Sequence, residues 1–366
     1  MNQQVITILA SFSGQGGVEK MLVQLCNGLV ALHRSVRLLC IKNSSPHLSA
    51  IDSRVEIIKL PTTHAYVAIP AIAKFLTTKT PPHILVAKDR AARALWIATK
   101  VTQKKLNYWI RVGTTLGASL QYKNKISTLV RTFALPSTYH DATGIIAVSQ
   151  GVALDIHQRY NIPLKKIHTV PNPVITPELF QLAKINTNHD FFKDPSGPIL
   201  IAMGRMSPEK DFGTLLQACT LVRNHFPIRL IIIGGGSTTE LFRTMHWDVS
   251  PDWLSCVGFI QNPYPYLAQA SLFVLSSKWE GSPNALTEAL ALGTQVVSTD
   301  CPSGPREVLQ GGLVAPLVPV GNPSAMAEAI IGVLKKPQAK NILQDAVKEY
   351  TQLQSAKRYL ALLEGN

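Results

Sequence analysis

Two carboxylates and two cations in the second half of the chain are spaced to suit a phosphorylated, hydroxyl-rich ligand. Glu280 and Glu288 lie in Ser276-Ser-Lys-Trp-Glu280-Gly-Ser-Pro-Asn-Ala-Leu-Thr-Glu288-Ala-Leu-Ala-Leu-Gly293. Ser282 followed by Pro283 predicts a helix start, with Ser282 as N-cap and Pro283 at the first helical position. Gly293 fits the residue just past the helix end. Glu280 then falls in the loop before the helix and Glu288 in its second turn, so the two are not stacked on one face. They straddle a helix N-terminus lined by Gly281, Ser282, Pro283 and Asn284, where free N–H groups and the positive dipole end receive a phosphate. A carboxylate beside such a site accepts hydrogen bonds from sugar or ribose hydroxyls. The plain alternative, a capping glutamate and an ordinary exposed one, would suffice for a bare pair at this spacing; the surrounding segment argues against it.

Arg205 and Lys210, in Gly204-Arg-Met-Ser-Pro-Glu-Lys210, directly follow an apolar run that reads as a strand. Two cations at a strand exit can neutralise a diphosphate as negative charge develops on it. Near the start, Gly14, Gly16 and Gly17 precede a helix beginning at Glu19, where backbone can approach an anion or a sugar closely. The spacing is not that of the dinucleotide fingerprint. There is no D-x-D, no H-E-x-x-H and no Cys/His cluster, so metal ligation is not expected, and neither a P-loop nor a nucleophile elbow is present.

The elements that must position these groups alternate along the chain. Val5–Ala10, Val36–Ile41, Val55–Leu60, Ile84–Ala87, Tyr108–Arg111 and Gly144–Val148 read as strands in the first half. Ile199–Met203, Leu230–Gly234, Cys256–Phe259, Leu272–Leu275 and Gln295–Ser298 read as strands in the second. Helical patterns, for example Glu19–Leu32, Asp211–His225 and Ala285–Leu292, lie between them. The alternation predicts parallel sheets with helices on both faces, occurring twice. The expected organisation is an α/β chain with a first Rossmann-like domain over 1–175 and a Pro-rich linker over 176–197. A second such domain follows over 198–345, and a C-terminal helix over 346–366 packs across both. Ligands bind in the crevice at the carboxyl ends of such strands, here a cleft between the domains.

At 366 residues and 46% apolar composition, the chain is long enough for two packed cores. No apolar run approaches the ~20 residues of a membrane span. The run Val5–Ala10 follows no basic residue and is read as a buried first strand rather than a leader. The five cysteines are scattered and odd in number, which with the absence of a leader favours the cytoplasm. The charge is uneven: residues 1–175 hold 21 Lys and Arg against 6 Asp and Glu, while the rest of the chain is near neutral. A basic half suits an anionic partner, whether nucleic acid, a membrane surface or a phosphorylated substrate. No nucleic-acid module or basic–aromatic interleaving supports the first of these.

Taken together these segments resemble the large family 4 of retaining glycosyltransferases, which have the two-domain GT-B fold. Ser13-Gly-Gln-Gly-Gly-Val-Glu19 is similar to the family's Gly-Gly-x-Glu loop, and Ala147–Ala153 and Val170-Pro-Asn-Pro173 to its recurring junction segments. Arg205 to Lys210 resembles its phosphate clamp, and Glu280 with Glu288 its paired glutamates. The resemblance implies a retaining, metal-independent transferase without a cofactor, its UDP-sugar a substrate. Gly16 and Gly17 would meet the donor, Glu280 would hold the donor sugar and Glu288 the ribose, with Arg205 and Lys210 at the diphosphate. Gly258-Phe-Ile-Gln-Asn-Pro263 is similar to the loop that receives the base, through Phe259, Ile260 and Asn262. Cys301-Pro-Ser-Gly-Pro-Arg306-Glu resembles a subgroup of bacterial envelope-sugar transferases, many using UDP-N-acetylhexosamines, and places Arg306 near the donor. Many family members carry a His after the strand that here reads Trp109-Ile-Arg111; none stands there, and Arg111 is expected to contact the donor sugar or a phosphorylated acceptor. The implied acceptor is a lipid-linked, polyprenyl-type glycan or a saccharide at the inner face of a bacterial membrane, with the protein peripheral there. Alternatives are a sugar-nucleotide-binding protein without transfer activity, or a sugar-nucleotide epimerase.

Overall fold

The β-branched apolar runs pair as strands because, in a parallel sheet covered on both faces, nearly every side chain is buried. In the computed structural model, which describes residues 5–14, 16–62, 64–79, 81–115, 117, 135–194, 196–246 and 248–365, they form two separate sheets. Gln15 of the glycine loop and Pro195 of the expected linker lie outside the described residues.

The first compact unit comprises residues 1–174 with 350–366. Its sheet holds β1 (Ile6–Phe12), β2 (Val36–Asn43), β3 (Glu56–Lys59), β4 (His83–Ala87), β5 (Tyr108–Val112), β6 (Gly144–Ala147) and β7 (Ile167–Thr169). These run parallel in the order β3-β2-β1-β4-β5-β6-β7. One face packs on α1 (Gly17–Ala31), the other on α2 (Ile69–Lys79), α3 (Asp89–Thr102) and α4 (Gln150–Tyr160). Trp109 of β5 lies over Gly144 of β6, where an added Cβ would come within 2.3 Å of the ring.

The second unit covers residues 175–349. It holds β8 (Ile199–Met203), β9 (Arg229–Ile233), β10 (Leu254–Gly258), β11 (Leu272–Leu275), β12 (Val296–Thr299) and β13 (Leu317–Val318), parallel in the order β10-β9-β8-β11-β12-β13. Helices α5 (Phe212–Val222), α6 (Asn284–Leu292) and α7 (Pro323–Lys335) follow strands β8, β11 and β13.

Two boundaries differ from those expected. The Pro-rich segment 176–197 is part of the second unit and not a free linker. Thr176 caps a short helix, Pro177–Leu182, with Pro177 in its first turn, His189 bonds the Ser255 hydroxyl at 2.9 Å and Asp194 pairs with Arg229 at 3.0 Å. Pro177 serves there as a helix-start residue. The last helix, α8 (Gln352–Glu364), expected to pack across both domains, is an integral part of the first. Ala356, Tyr359 and Leu363 are buried in the core it shares with α1, and Gly28 allows the close approach, since a Cβ there would meet Ala356 at 3.0 Å. Strands β7 and β13, three and two residues long, are too short to show a period.

In each sheet the parallel strands send their exit loops to one edge, which is where the candidate functional residues collect. Among the described residues no helix is long and apolar enough to cross a membrane. The five cysteines are all free. Burial pushes Cys26, Cys219 and Cys301 up to about 12 and Cys40 and Cys256 up to about 11. Only the thiolate attacks a thiol reagent, so at about pH 8 the native protein should label slowly and incompletely. Titration with a thiol reagent should find five thiols only after denaturation; rapid native labelling of several would contradict the packing.

Candidate active site

In the second unit, five loops leaving consecutive strand ends form one edge. The loop after β8 carries Arg205 and Lys210, and the loop after β11 carries Glu280. Lys210 Nζ donates to Glu280 Oε1 at 2.6 Å, with the two side chains 19% and 13% exposed. Two adjacent serines at the end of β11 hold both partners. Ser277 donates to the same Glu280 oxygen at 2.7 Å, and Ser276 donates to the backbone carbonyl of Lys210 at 2.6 Å. The loops are joined again by Lys278 N–H to the Glu209 carbonyl at 2.8 Å, and Thr299 Oγ1 donates to the Ser277 carbonyl at 2.6 Å. Removing either charge would strand the other partly buried, at a cost of about 3–5 kcal/mol when desolvation is severe.

Glycines let these loops close on one another. Gly204 sits against the Lys210 stem, which a Cβ would approach to 2.8 Å, and at Gly234 a Cβ would fall 1.6 Å from the Gly204 carbonyl oxygen. The backbone bonds Gly204 N to Ile233 O, Met206 N to Gly235 O and Gly234 N to Gly258 O tie the exits of β8, β9 and β10 together. A recess of about 480 Å³ opens there, lined among others by Met206, Gly234, Gly236, Phe242, Cys256 and Gly258.

The expected helix start is shifted by one residue. Helix α6 begins at Asn284 with Pro283 as N-cap, and Gly293 closes it at φ 74°. Ser282 does not cap: its hydroxyl is buried and makes no hydrogen bond, because Pro283 already sets the chain direction at the cap. Gly281 is buried, and its carbonyl accepts from Ser303 Oγ at 3.1 Å. Glu288 lies on the buried face of α6, 4% exposed, and accepts from the Tyr264 phenol at 3.4 Å. A carboxylate so deep in a helix interface is uncommon without a specific partner. Cys301 is buried near Glu280, and its thiol is pushed up first by burial and then by that carboxylate.

The remaining predicted residues are placed as follows. Arg205 is an exposed cation whose guanidinium meets Glu209 at 2.8 Å. Arg306 is exposed and pairs with Asp300, Nε to Oδ1 at 3.0 Å, with a second, short contact from Nη2 to Oδ2. Phe259 is exposed and Ile260 half-buried at the exit of β10. Asn262, expected to read a base edge, has its amide engaged within the unit: Nδ2 donates to Leu182 O at 3.2 Å and Oδ1 accepts from Tyr264 N at 3.3 Å. It shapes the turn into the helix that carries Tyr264.

In the first unit, Gly16 is the N-cap of α1 and Gly17 its first residue, both exposed, and a Cβ at Gly16 would meet nothing within 4 Å. Glu19 folds back to accept Ser13 N at 3.1 Å and Gly14 N at 2.9 Å, and pairs with Lys88 at 2.6 Å. Arg111 is not the open contact expected. It is 3% exposed, with Nη2 donating to Asn172 Oδ1 at 2.8 Å, Nε without a hydrogen bond, and the buried Tyr359 phenol nearby. It points to the face of the sheet that α1 and α8 cover, and burial lowers its pKa. Among the described residues no cluster of three His, Cys, Asp or Glu gathers to hold a metal. The residues missed in the sequence are Ser276, Ser277, Thr299, Tyr264 and Lys88. The two serines adjoin Glu280 in the very segment singled out, and Lys88 stands at a strand-to-helix junction.

The first unit matches the family model described as Glycosyltransferase Family 4 over residues 15–177, and the second the model described as Glycosyl transferases group 1 over residues 197–336. The N-acetylgalactosamine-N,N'-diacetylbacillosaminyl-diphospho-undecaprenol 4-alpha-N-acetylgalactosaminyltransferase of Campylobacter jejuni is 26% identical over 256 residues, 69% of this chain and 68% of that protein. The lipopolysaccharide 1,6-galactosyltransferase of Escherichia coli is 27% identical over 172 residues, 45% of each chain. The fold resembles that of Anabaena HepE in complex with UDP and glucose, with a TM-score of 0.77 at 16% identity over 100% of both chains.

Gly304, at φ 90°, packs on the cap of α6, where a Cβ would meet Pro283 Cδ at 2.7 Å and the Gly281 carbonyl oxygen at 3.0 Å. Gly304→Ala should destabilise the second unit by about 1–3 kcal/mol. Gly213→Ala, in α5 with nothing within 4 Å of its Cβ, should be neutral or stabilising. Thermal unfolding of the two variants checks this; equal midpoints would contradict the packing at the cap.

Proposed function

We propose, for a chain that belongs to family 4 of the glycosyltransferases with the GT-B fold, that it moves a sugar from a UDP-sugar to a lipid-linked or saccharide acceptor in bacterial envelope polysaccharide assembly. The observation that carries this reading is the bonded Lys210–Glu280 pair set beside the N-terminus of α6. A cation, a carboxylate and a helix dipole end on one strand edge are the parts needed to hold a diphosphate and a sugar together.

In this reading Lys210 leaves Glu280 when the donor binds and moves to the diphosphate, joined there by the exposed Arg205. Glu280 is then released to accept hydrogen bonds from the donor-sugar hydroxyls, with Ser277 keeping its carboxylate in place. The base enters the recess beside Gly258, near Phe259 and Ile260, and Glu288 takes the ribose hydroxyls in exchange for part of its bond to Tyr264. Negative charge developing on the departing diphosphate is met by two side-chain cations and the α6 dipole, which together can do the work of a metal ion. The transfer is then metal-independent. A retaining course has the diphosphate help to deprotonate the acceptor hydroxyl on the face it leaves.

The acceptor is assigned to the first unit. Its first 175 residues hold 21 Lys and Arg against 6 Asp and Glu, which suits a polyprenyl-diphosphate glycan presented at an anionic membrane surface. The name of the Campylobacter relative specifies a diphospho-undecaprenol acceptor and an N-acetylgalactosaminyl group, which supports an N-acetylhexosamine donor and a peripheral site at the inner membrane face.

Glu288→Ala should weaken UDP binding by about tenfold or more, because the ribose hydroxyls lose their charged acceptor. Isothermal calorimetry with UDP checks this on protein whose unfolding midpoint is measured alongside. Unchanged affinity in a folded variant would sink the assignment of Glu288. Absence of UDP release from every UDP-sugar offered with acceptor would leave a binding protein instead.

A further inference from the structure

Lys88, at the exit of β4, is a strained residue. Its φ of 75° and ψ of 134° lie outside the left-handed helical well that Gln103, Asn161 and Asp211 use, whose ψ values are 23°, 37° and 45°. L side chains are rare in that territory, which is essentially glycine's, and such conformations persist where surrounding structure demands them. A glycine would fit the backbone better, so what the position gains from lysine lies in the side chain.

That side chain reaches back across the end of β1. Nζ donates to the Ser11 carbonyl at 2.7 Å and to Glu19 Oε1 at 2.6 Å, with the Glu19 side chain 5% exposed. The Glu19 carboxylate in turn receives the N–H groups of Ser13 and Gly14. Lys88 therefore fixes a carboxylate, and the carboxylate fixes the loop that ends in the exposed Gly16 and Gly17. Without a cation beside it, a carboxylate this buried would be free to turn toward water and release both amides.

We propose that Lys88 is a positioning residue for transfer: through Glu19, whose carboxylate takes the Ser13 and Gly14 amides, it holds the chain leading into α1 so that the exposed Gly16 and Gly17 keep their place against substrate. This rests on the transferase reading above, and adds to it the residue that orders the glycine loop. The strain at Lys88 is the cost of carrying a cation where the backbone prefers none.

The test compares the full-length chain with Lys88→Gly, which loses both charge and strain, Lys88→Met, which loses the charge and keeps the strain, and Lys88→Arg, which keeps the cation. Amide exchange over residues 11–19 should accelerate about tenfold or more in the Gly and Met variants and stay near the parent in the Arg variant. Lys88→Gly should melt higher than Lys88→Met. UDP release from UDP-N-acetylgalactosamine and UDP-N-acetylglucosamine should fall about tenfold or more in both Gly and Met variants, despite their different stabilities. Parent-like exchange at 11–19 in Lys88→Gly and Lys88→Met would overturn the proposal. Exchange rising throughout the first unit, or turnover that follows melting temperature across the series, would equally overturn it by making Lys88 a purely structural residue. A parent chain that neither binds UDP nor turns over any donor counts against the transferase reading, and the exchange comparison still decides Lys88.

Discussion

The second unit is organised around one short ion pair. Lys210 and Glu280 arrive on loops from adjacent strands, β8 and β11, and each is held by its own serine before the two meet. Surface pairs contribute little, because water competes with the partner and two long side chains must be immobilised. Here both side chains are mostly shielded and already fixed, so the pair holds the two loops in register. The same two groups are those that the transfer chemistry would take apart. The pair is thus a resting state that a diphosphate can replace, with the positive charge changing one anionic partner for another.

A second version of the arrangement stands in the first unit. Glu19, in the first turn of α1 after β1, and Lys88, directly after β4, stand behind neighbouring strands of a parallel sheet, and again a carboxylate receives both a lysine and backbone or hydroxyl donors. In both units, parallel strands bring opposite charges to one edge, and small residues let the loops close. Gly204 and Gly234 do this in the second unit with nearly no space to spare, whereas Gly16 faces open space. The first two glycines are required by the protein's own packing, while Gly16 leaves room for something to approach.

How much of this was legible in the sequence depends on the range of the interaction. The long strands and the helices that follow them were readable from periodicity, since burial on both faces leaves apolar runs bounded by glycine, proline and charge. Glu280 and Glu288 were readable as carboxylates at fixed spacing around a helix start, and Arg205 and Lys210 as two cations at a strand exit. Their partners were not: Ser276 reaches the Lys210 carbonyl on the loop of a neighbouring strand and Tyr264 reaches Glu288 from another helix, while Ser277, only three residues before Glu280, is a small hydroxyl whose type alone does not mark it as that carboxylate's donor. Arg111 misled for a related reason: a strand end was read as an open position, but residue parity turns its side chain to the face that α8 covers. Asn262 misled because an amide at a loop can serve the loop itself. The Pro-rich segment 176–197 shows that composition marks irregular backbone without saying to which unit that backbone belongs.

The most direct test of the account is the position of Lys210 Nζ in a structure of the chain with a UDP-sugar bound. The account predicts that Nζ has left Glu280 and lies within hydrogen-bond distance of a diphosphate oxygen, with the Glu280 carboxylate on sugar hydroxyls and still bonded to Ser277. A donor seated at the α6 N-terminus with the Lys210–Glu280 bond intact would contradict it.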